Sequence, residues 1–169
     1  MPLLTPKFLT KEIAQITVQQ TITAVMASPI GDMLKRKACH IVILVPAIKD
    51  DRATNYVDYP NYPAQAYILY EHSVGKEIWS AKYDEVARCK AQQLWHDRND
   101  DRTSIKPHLL FSGDTVYWGG VKRHGIVVAC SGVQPWFDKM ISGMIADVLI
   151  GLAYDAFMTR ENPDKDFLD

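Results

Sequence analysis

The chain has 169 residues, 47% of them hydrophobic and 23% charged, with a formal charge of -1. That length fits one globular domain with a sizeable core, so 1–169 reads as a single domain, with 1–8 and 160–169 as loose tails. The composition is too apolar for a disordered chain, and the lack of a basic excess argues against a nucleic-acid surface.

In chain order, residues Met1 to Lys11 carry Pro2 and Pro6 and no apolar core of a secretory leader. Thr10 is placed to cap a helix beginning at Lys11, along which Ala14, Val18, Ile22 and Val25 recur at helical spacing. Pro29 and Gly31 break that pattern, and Asp32 to Lys37 reads as a polar turn or a short helical turn. Within it, Lys35-Arg36-Lys37 is solvated surface charge or an anion site, and Lys122-Arg123 carries the same two readings.

His40 to Val45 is a β-branched apolar run, the composition of a strand covered on both faces, and Pro46 is expected to end it. Ile48 to Pro63 is a long connection with Tyr56, Tyr59 and Tyr62, which predicts a functional loop or an interface arm. Ala66 to Tyr70 then reads as a second strand, antiparallel to the first. Glu77 to Trp95 has amphipathic helix composition.

Leu109 to Trp118 and Val121 to Cys130 read as a hairpin turning at Gly119-Gly120, because a two-residue loop needs the positive φ that glycine adopts freely. After Pro135 comes a long apolar helix, with Phe137, Ile141, Met144, Val148 and Leu152 as one stripe and Trp136, Met140, Ile145 and Leu149 widening it. Asp147 and Asp155 interrupt this helix, so a buried helix is expected rather than a membrane span. Gly143 and Gly151 suggest close packing on another backbone, and so apolar a helix predicts a homo-oligomer interface.

Five scattered histidines lack the paired spacing of a metal site, and neither a phosphate loop nor a nucleophile elbow occurs. Cys39, Cys89 and Cys130 have no close pair, which predicts reduced thiols in a cytoplasmic protein. Cys130 is a core residue or a thiol activated by the following helix. Asp138 suits the first turn of that helix. Arg88 forms surface ion pairs or holds an anion such as a propionate, and His72 is an ordinary histidine or a haem-iron ligand.

The run Glu85-Val86-Ala87-Arg88-Cys89-Lys90-Ala91 and the segment Ile126 to Gly132 followed by Asp138 resemble the GlcG/HbpS-like domains, often labelled haem-degrading and also found at the C-terminus of PduO-type proteins. In that family a helix carries Ala-Arg-x-Lys-Ala, and a late strand ends in Ser-Gly ahead of an acidic residue. The helix from Leu9 to Met26 and the two strands before the middle helix fall in the same order.

Two departures stand out. The family's double glycine precedes its late hairpin, where this chain has Ser112-Gly113, and the early hairpin is opened here by the tyrosine-rich segment. The resemblance implies an α+β, profilin-like fold: a mainly antiparallel sheet of about five strands with N-terminal, middle and long C-terminal helices. It also implies a homo-oligomer that binds a small-molecule ligand, haem or a corrinoid such as cobalamin, with Arg88, Lys90, Ser131, Gly132 and Asp138 as pocket or scaffold residues. An enzyme acting on a small organic acid or tetrapyrrole, and a purely structural oligomerisation domain, are the alternative functions.

Overall fold

Thr10 caps the first helix, α1 (Lys11–Met26), through a 3.2 Å hydrogen bond that its hydroxyl accepts from the Ile13 N–H. Ala14, Val18 and Val25 are buried along it, as are the β-branched Thr17 and Thr21. Burial of that face outweighs the modest helix propensity of the threonines. The structure, a computed structural model, describes residues 3–49, 64–99 and 106–168. The tyrosine-bearing segment and its expected role therefore lie outside the described residues from 50 to 63.

A short strand, β1 (Leu3–Leu4), precedes α1 in the segment expected to be a tail, and a single helical turn, α2 (Ile30–Met33), follows it. Strand β2 (Cys39–Lys49) is the spine of the sheet, with Cys39 to Val45 all buried. It runs on through Pro46, contrary to the expected stop. The β2 ladder with β5 (Ile126–Ser131) ends at Leu44, so on that flank the missing proline N–H interrupts no pairing.

Strand β3 (Gln65–Val74) pairs antiparallel with β2 from Cys39↔Val74 to Ala47↔Gln65, as expected from the sequence. β4 (Gly120–Arg123) pairs antiparallel with β5, and β5 with β2, giving a five-stranded sheet in the order β1-β2-β5-β4, with β3 also on β2. Helix α3 (Tyr83–Trp95) covers one face, where Val42, Leu44, Val127 and Ala129 meet Ala87, Ala91 and Leu94. Helices α1 and α4 (Pro135–Met158) cover the other, over Ile41, Ile43, Val45 and Val128. Each such aliphatic side chain contributes roughly 1.5–3 kcal/mol by leaving water. This is the α+β architecture that the sequence predicts.

The middle helix starts six residues later than its composition suggests. Lys76–Ile78 is one 3₁₀ turn, and the Trp79 indole then donates to the Val74 carbonyl at 3.0 Å while its ring packs on His40 and Tyr83. That anchor holds the entry to α3 extended.

The late hairpin turns at His124-Gly125, not at Gly119-Gly120. Both turn residues have positive φ, 47° and 86°, so the turn chemistry expected of a two-residue loop is present one strand later. Leu109 to Trp118 is not a strand. Its polar groups are taken up elsewhere: the Asp114 carboxylate accepts from the Phe111 N–H and pairs with Arg98, and the Thr115 N–H donates to Gln93 Oε1 and Cys89 Sγ. With these donors engaged by side chains, the run does not join the sheet.

Helix α4 is also rotated from the expected stripe. Ile141, Ile145, Ala146 and Leu149 are fully buried, whereas Met144, Val148 and Leu152 remain 37%, 41% and 38% exposed. Gly143 faces the Arg123 guanidinium, and no described residue lies within 4 Å of where a Gly151 Cβ would be, so among the described residues neither glycine packs on another backbone. By length and composition alone α4 could cross a membrane. Its inner face is nevertheless committed to the sheet.

Candidate functional site

Between the start of α4, the first turns of α3 and the α2–β2 connection lies a cleft of about 530 Å³, within the usual range of about 300–1,000 Å³ for ligand pockets. Lys90 and Asp138 form its floor together with Ser131 and Gly132 at the end of β5, and Tyr83, Tyr117, Trp118 and Trp136 supply aromatic walls. Lys35 and Arg36 complete the lining from the α2–β2 connection.

The floor is a buried ion pair. Lys90 Nζ donates to the Cys130 carbonyl at 2.8 Å and to Asp138 Oδ2 at 3.2 Å, with the two side chains only 1% and 3% exposed. Asp138 Oδ1 accepts from the Val133 N–H at 3.1 Å, so the carboxylate closes the loop leading into α4 as well as pairing with α3. Burial pushes the Asp138 carboxyl above its ordinary pKa although Lys90 pulls it the other way. The pair ties a helix on one face of the sheet to a helix on the other.

Glycine geometry makes room for that pair. At Gly119, φ is +122°, and a Cβ would stand 2.6 Å from Asp138 Cβ and 2.9 Å from the Pro135 carbonyl. Ser142 fixes the same corner, its hydroxyl donating toward the carbonyls of Asp138 and Gly119. Gly132 packs equally close to β2, where a Cβ would meet the Ala38 carbonyl at 2.5 Å. Arg36 reaches over to donate to the Gly132 carbonyl at 2.6 Å and lies over the Tyr83 ring.

Of the six residues singled out from the sequence, Lys90, Ser131, Gly132 and Asp138 line this one cleft, and Arg88 and His72 do not. Arg88 Nε donates to Glu71 at 2.7 Å and its Nη1 to Asp84 at 3.3 Å. Glu71 also meets His40 Nε2 at 3.0 Å, while His40 Nδ1 meets Ser73 at 2.9 Å. Burial raises the Glu71 pKa, but hydrogen bonds from His40 and Arg88 outweigh it and hold the carboxyl below its usual range. Arg88 is thus engaged in an ion-pair network.

His72 instead stacks on Tyr70 on the α1 side of β3, within hydrogen-bond reach of its hydroxyl at 3.3 Å. Burial, and secondarily the nearby His40, lower its pKa from the ordinary histidine value. Cys130 is fully buried, and burial pushes its thiol well up, so the start of α4 does not activate it.

Sequence reasoning missed the cleft's aromatic walls and the role of Arg36. The basic triplet at 35–37 was a visible signal, but nothing local distinguished it from surface charge. An antiparallel α+β domain with a cationic, aromatic cleft at the end of its sheet is the class these features define. Comparisons with protein-family models, curated proteins and solved structures find no match for the chain.

Proposed function

We propose that this protein binds a small molecule in the cleft over Lys90 and Asp138, as a homo-oligomeric member of the GlcG/HbpS-like family. One observation carries the reading: Lys90 on the middle helix, Ser131 and Gly132 at the end of β5 and Asp138 in the first turn of α4, four of the five residues that the family resemblance names, line a single open cavity, Arg88 being the exception. The corrected hairpin adds support, because Gly119-Gly120 lies at the start of β4, the first strand of that hairpin, close to where the family carries its double glycine. An open cleft also favours a binding role over a purely structural oligomerisation domain.

The cleft suits a flat conjugated ligand such as haem better than a ligand held by a strong axial histidine. Among the described residues no His, Cys or Met lines it, so an iron ligand from these would be a tyrosine oxygen, Tyr83 or Tyr117. His72, on the α1 side of the sheet, has no part in this reading. A corrinoid stays the second candidate. When bound, haem would supply its own redox chemistry, and the protein would supply walls, charge and exclusion of water.

Catalysis has less support. Lys90 and both Asp138 oxygens are spent on each other and on backbone groups, which reads as positioning. The exposed Met144, Val148 and Leu152 of α4 support a second copy as its cover, and the three free cysteines support a reducing, cytoplasmic setting.

The test is titration with haemin and with cobalamin, followed in the Soret and corrin bands, on the natural protein and on Trp136→Ala. Trp136 is 59% exposed, so its loss spares the core. A saturable change weakened at least fivefold in the variant is expected, since ring stacking contributes about 1–3 kcal/mol. No saturable change with either ligand would remove haem and corrinoid from the reading.

A further inference from the structure

The chemistry of the cleft selects among small molecules by charge and shape. Lys35, Arg36 and Lys90 line it against one carboxylate, Asp138, and that carboxylate is already neutralised by Lys90. Lys35 makes no ion pair among the described residues: its backbone N–H is held by Gln134 Oε1 at 3.0 Å, which fixes the main chain at the cleft while its ammonium stays exposed. Arg36 is half-buried, with one donor on the Gly132 carbonyl and its guanidinium carbon 5.7 Å from the Tyr83 ring centre, and it too has no carboxylate partner among the described residues. Among the described residues, two cations therefore stand at the rim without counter-charge. Inside them the walls are Tyr83, Tyr117, Trp118 and Trp136.

We infer that the cleft takes a flat, conjugated organic acid, with its ring system among these four aromatic residues and its acid group at Lys35 and Arg36. Flat rings gain from stacking on aromatic faces, and a guanidinium that spends one donor on the Gly132 carbonyl keeps others to meet a carboxylate. An uncharged ligand of the same shape would leave both cations without an anion and forgo the charge-assisted hydrogen bonds. The inference rests on the cleft being the ligand site and narrows what that site accepts.

A matched pair of fluorescent probes tests it: 1-pyrenecarboxylic acid and 1-pyrenemethanol, which share one ring system and differ in the charge of one substituent. Both are titrated against the full chain and against Lys35→Glu, whose side chain is exposed and bonds to no other described residue. The acid is expected to bind about tenfold or more tightly than the alcohol. Lys35→Glu should remove that preference by weakening the acid's binding, with the melting temperature unchanged. Equal binding of the two probes to the natural protein, or a preference that survives Lys35→Glu, would overturn the inference and leave the cleft as a ligand site. Failure of both probes to bind would count against the cleft itself, and the inference would fall with it.

Discussion

Replacing Lys90 with methionine keeps most of its buried stem and removes the charge that faces Asp138. The side chain is 1% exposed, and its ammonium makes hydrogen bonds to Asp138 and to the Cys130 carbonyl. Breaking a buried pair from one side costs about 3–5 kcal/mol, because the other charge stays behind unpaired, and a whole domain has only about 5–15 kcal/mol of stability. The cost depends on pH. The Asp138 carboxyl already titrates above its ordinary 3.8 in the folded protein, so the folded state binds that proton more tightly than the unfolded chain does. Its contribution to stability is then fully present below the unfolded pKa and declines as pH rises through the raised folded value.

Without Lys90 the folded pKa rises further and the declining window extends upward. Urea unfolding followed by tryptophan fluorescence between pH 4 and 8 should therefore show a gap of about 3–5 kcal/mol at neutral pH, shrinking to about 1–2 kcal/mol at the acid end, where the lost hydrogen bond to Cys130 is what remains. The double variant Lys90→Met/Asp138→Asn keeps an oxygen for the Val133 N–H and removes the stranded charge, so it should be more stable than Lys90→Met at pH 7. A neutral-pH cost under about 1 kcal/mol, a gap indifferent to pH, or a double variant weaker than the single one would refute the buried pair as the link between α3 and α4.

Gly119→Ala meets both a positive φ and the Asp138 Cβ at 2.6 Å, whereas Gly125→Ala meets a positive φ with nothing within 4 Å. Thermal melts should show a loss several degrees larger for the first, in keeping with about 1–3 kcal/mol of overpacking; equal losses would contradict the packing at Gly119. The depressed Glu71 pKa means that its stabilisation is present above 4.5 and is lost as pH falls through the lower folded value. Arg88→Ala should flatten that acid limb in pH-dependent denaturation and cost at most about 1 kcal/mol at pH 7, because the pair is partly exposed. Sedimentation at micromolar concentration should show an oligomer, and Val148→Lys with Leu152→Lys should shift it toward monomer; a natural protein that sediments as a monomer would end the interface reading of α4.

What the sequence made legible was whatever is decided locally. Thr10, Ala14, Val18 and Val25 set the start and buried face of α1 within one stretch of chain, and the run from His40 to Val45 needed only its own composition to be a doubly covered strand. The hairpin failed for a nonlocal reason. Gly119-Gly120 and His124-Gly125 are both acceptable two-residue turns by local chemistry, and what separates them is that Gly119 lies against Asp138 and Gly120 against Leu94 and β5. Glycine at those positions answers to helices that a local reading does not bring near. The phase of α4 failed similarly: in so apolar a helix, several stripes have comparable strength, and the sheet selects Ile141, Ile145 and Leu149.

The cleft shows the same division more sharply. Lys90 and Asp138 are 48 residues apart, and each alone reads as a surface lysine or a helix-start carboxylate; only a family resemblance put them on one short list. Arg88, from the same run, faces Glu71 and Asp84 instead, because it lies two residues before Lys90 on α3 and neighbours at that spacing point apart around a helix. A motif therefore names a stretch of helix, and the periodicity of 3.6 decides which of its residues face the cavity. The same periodicity brings Val86, four residues before Lys90, onto the cleft lining. The wall that it helps to form was thus available from the sequence once Lys90, rather than Arg88, is taken as the inward-facing member.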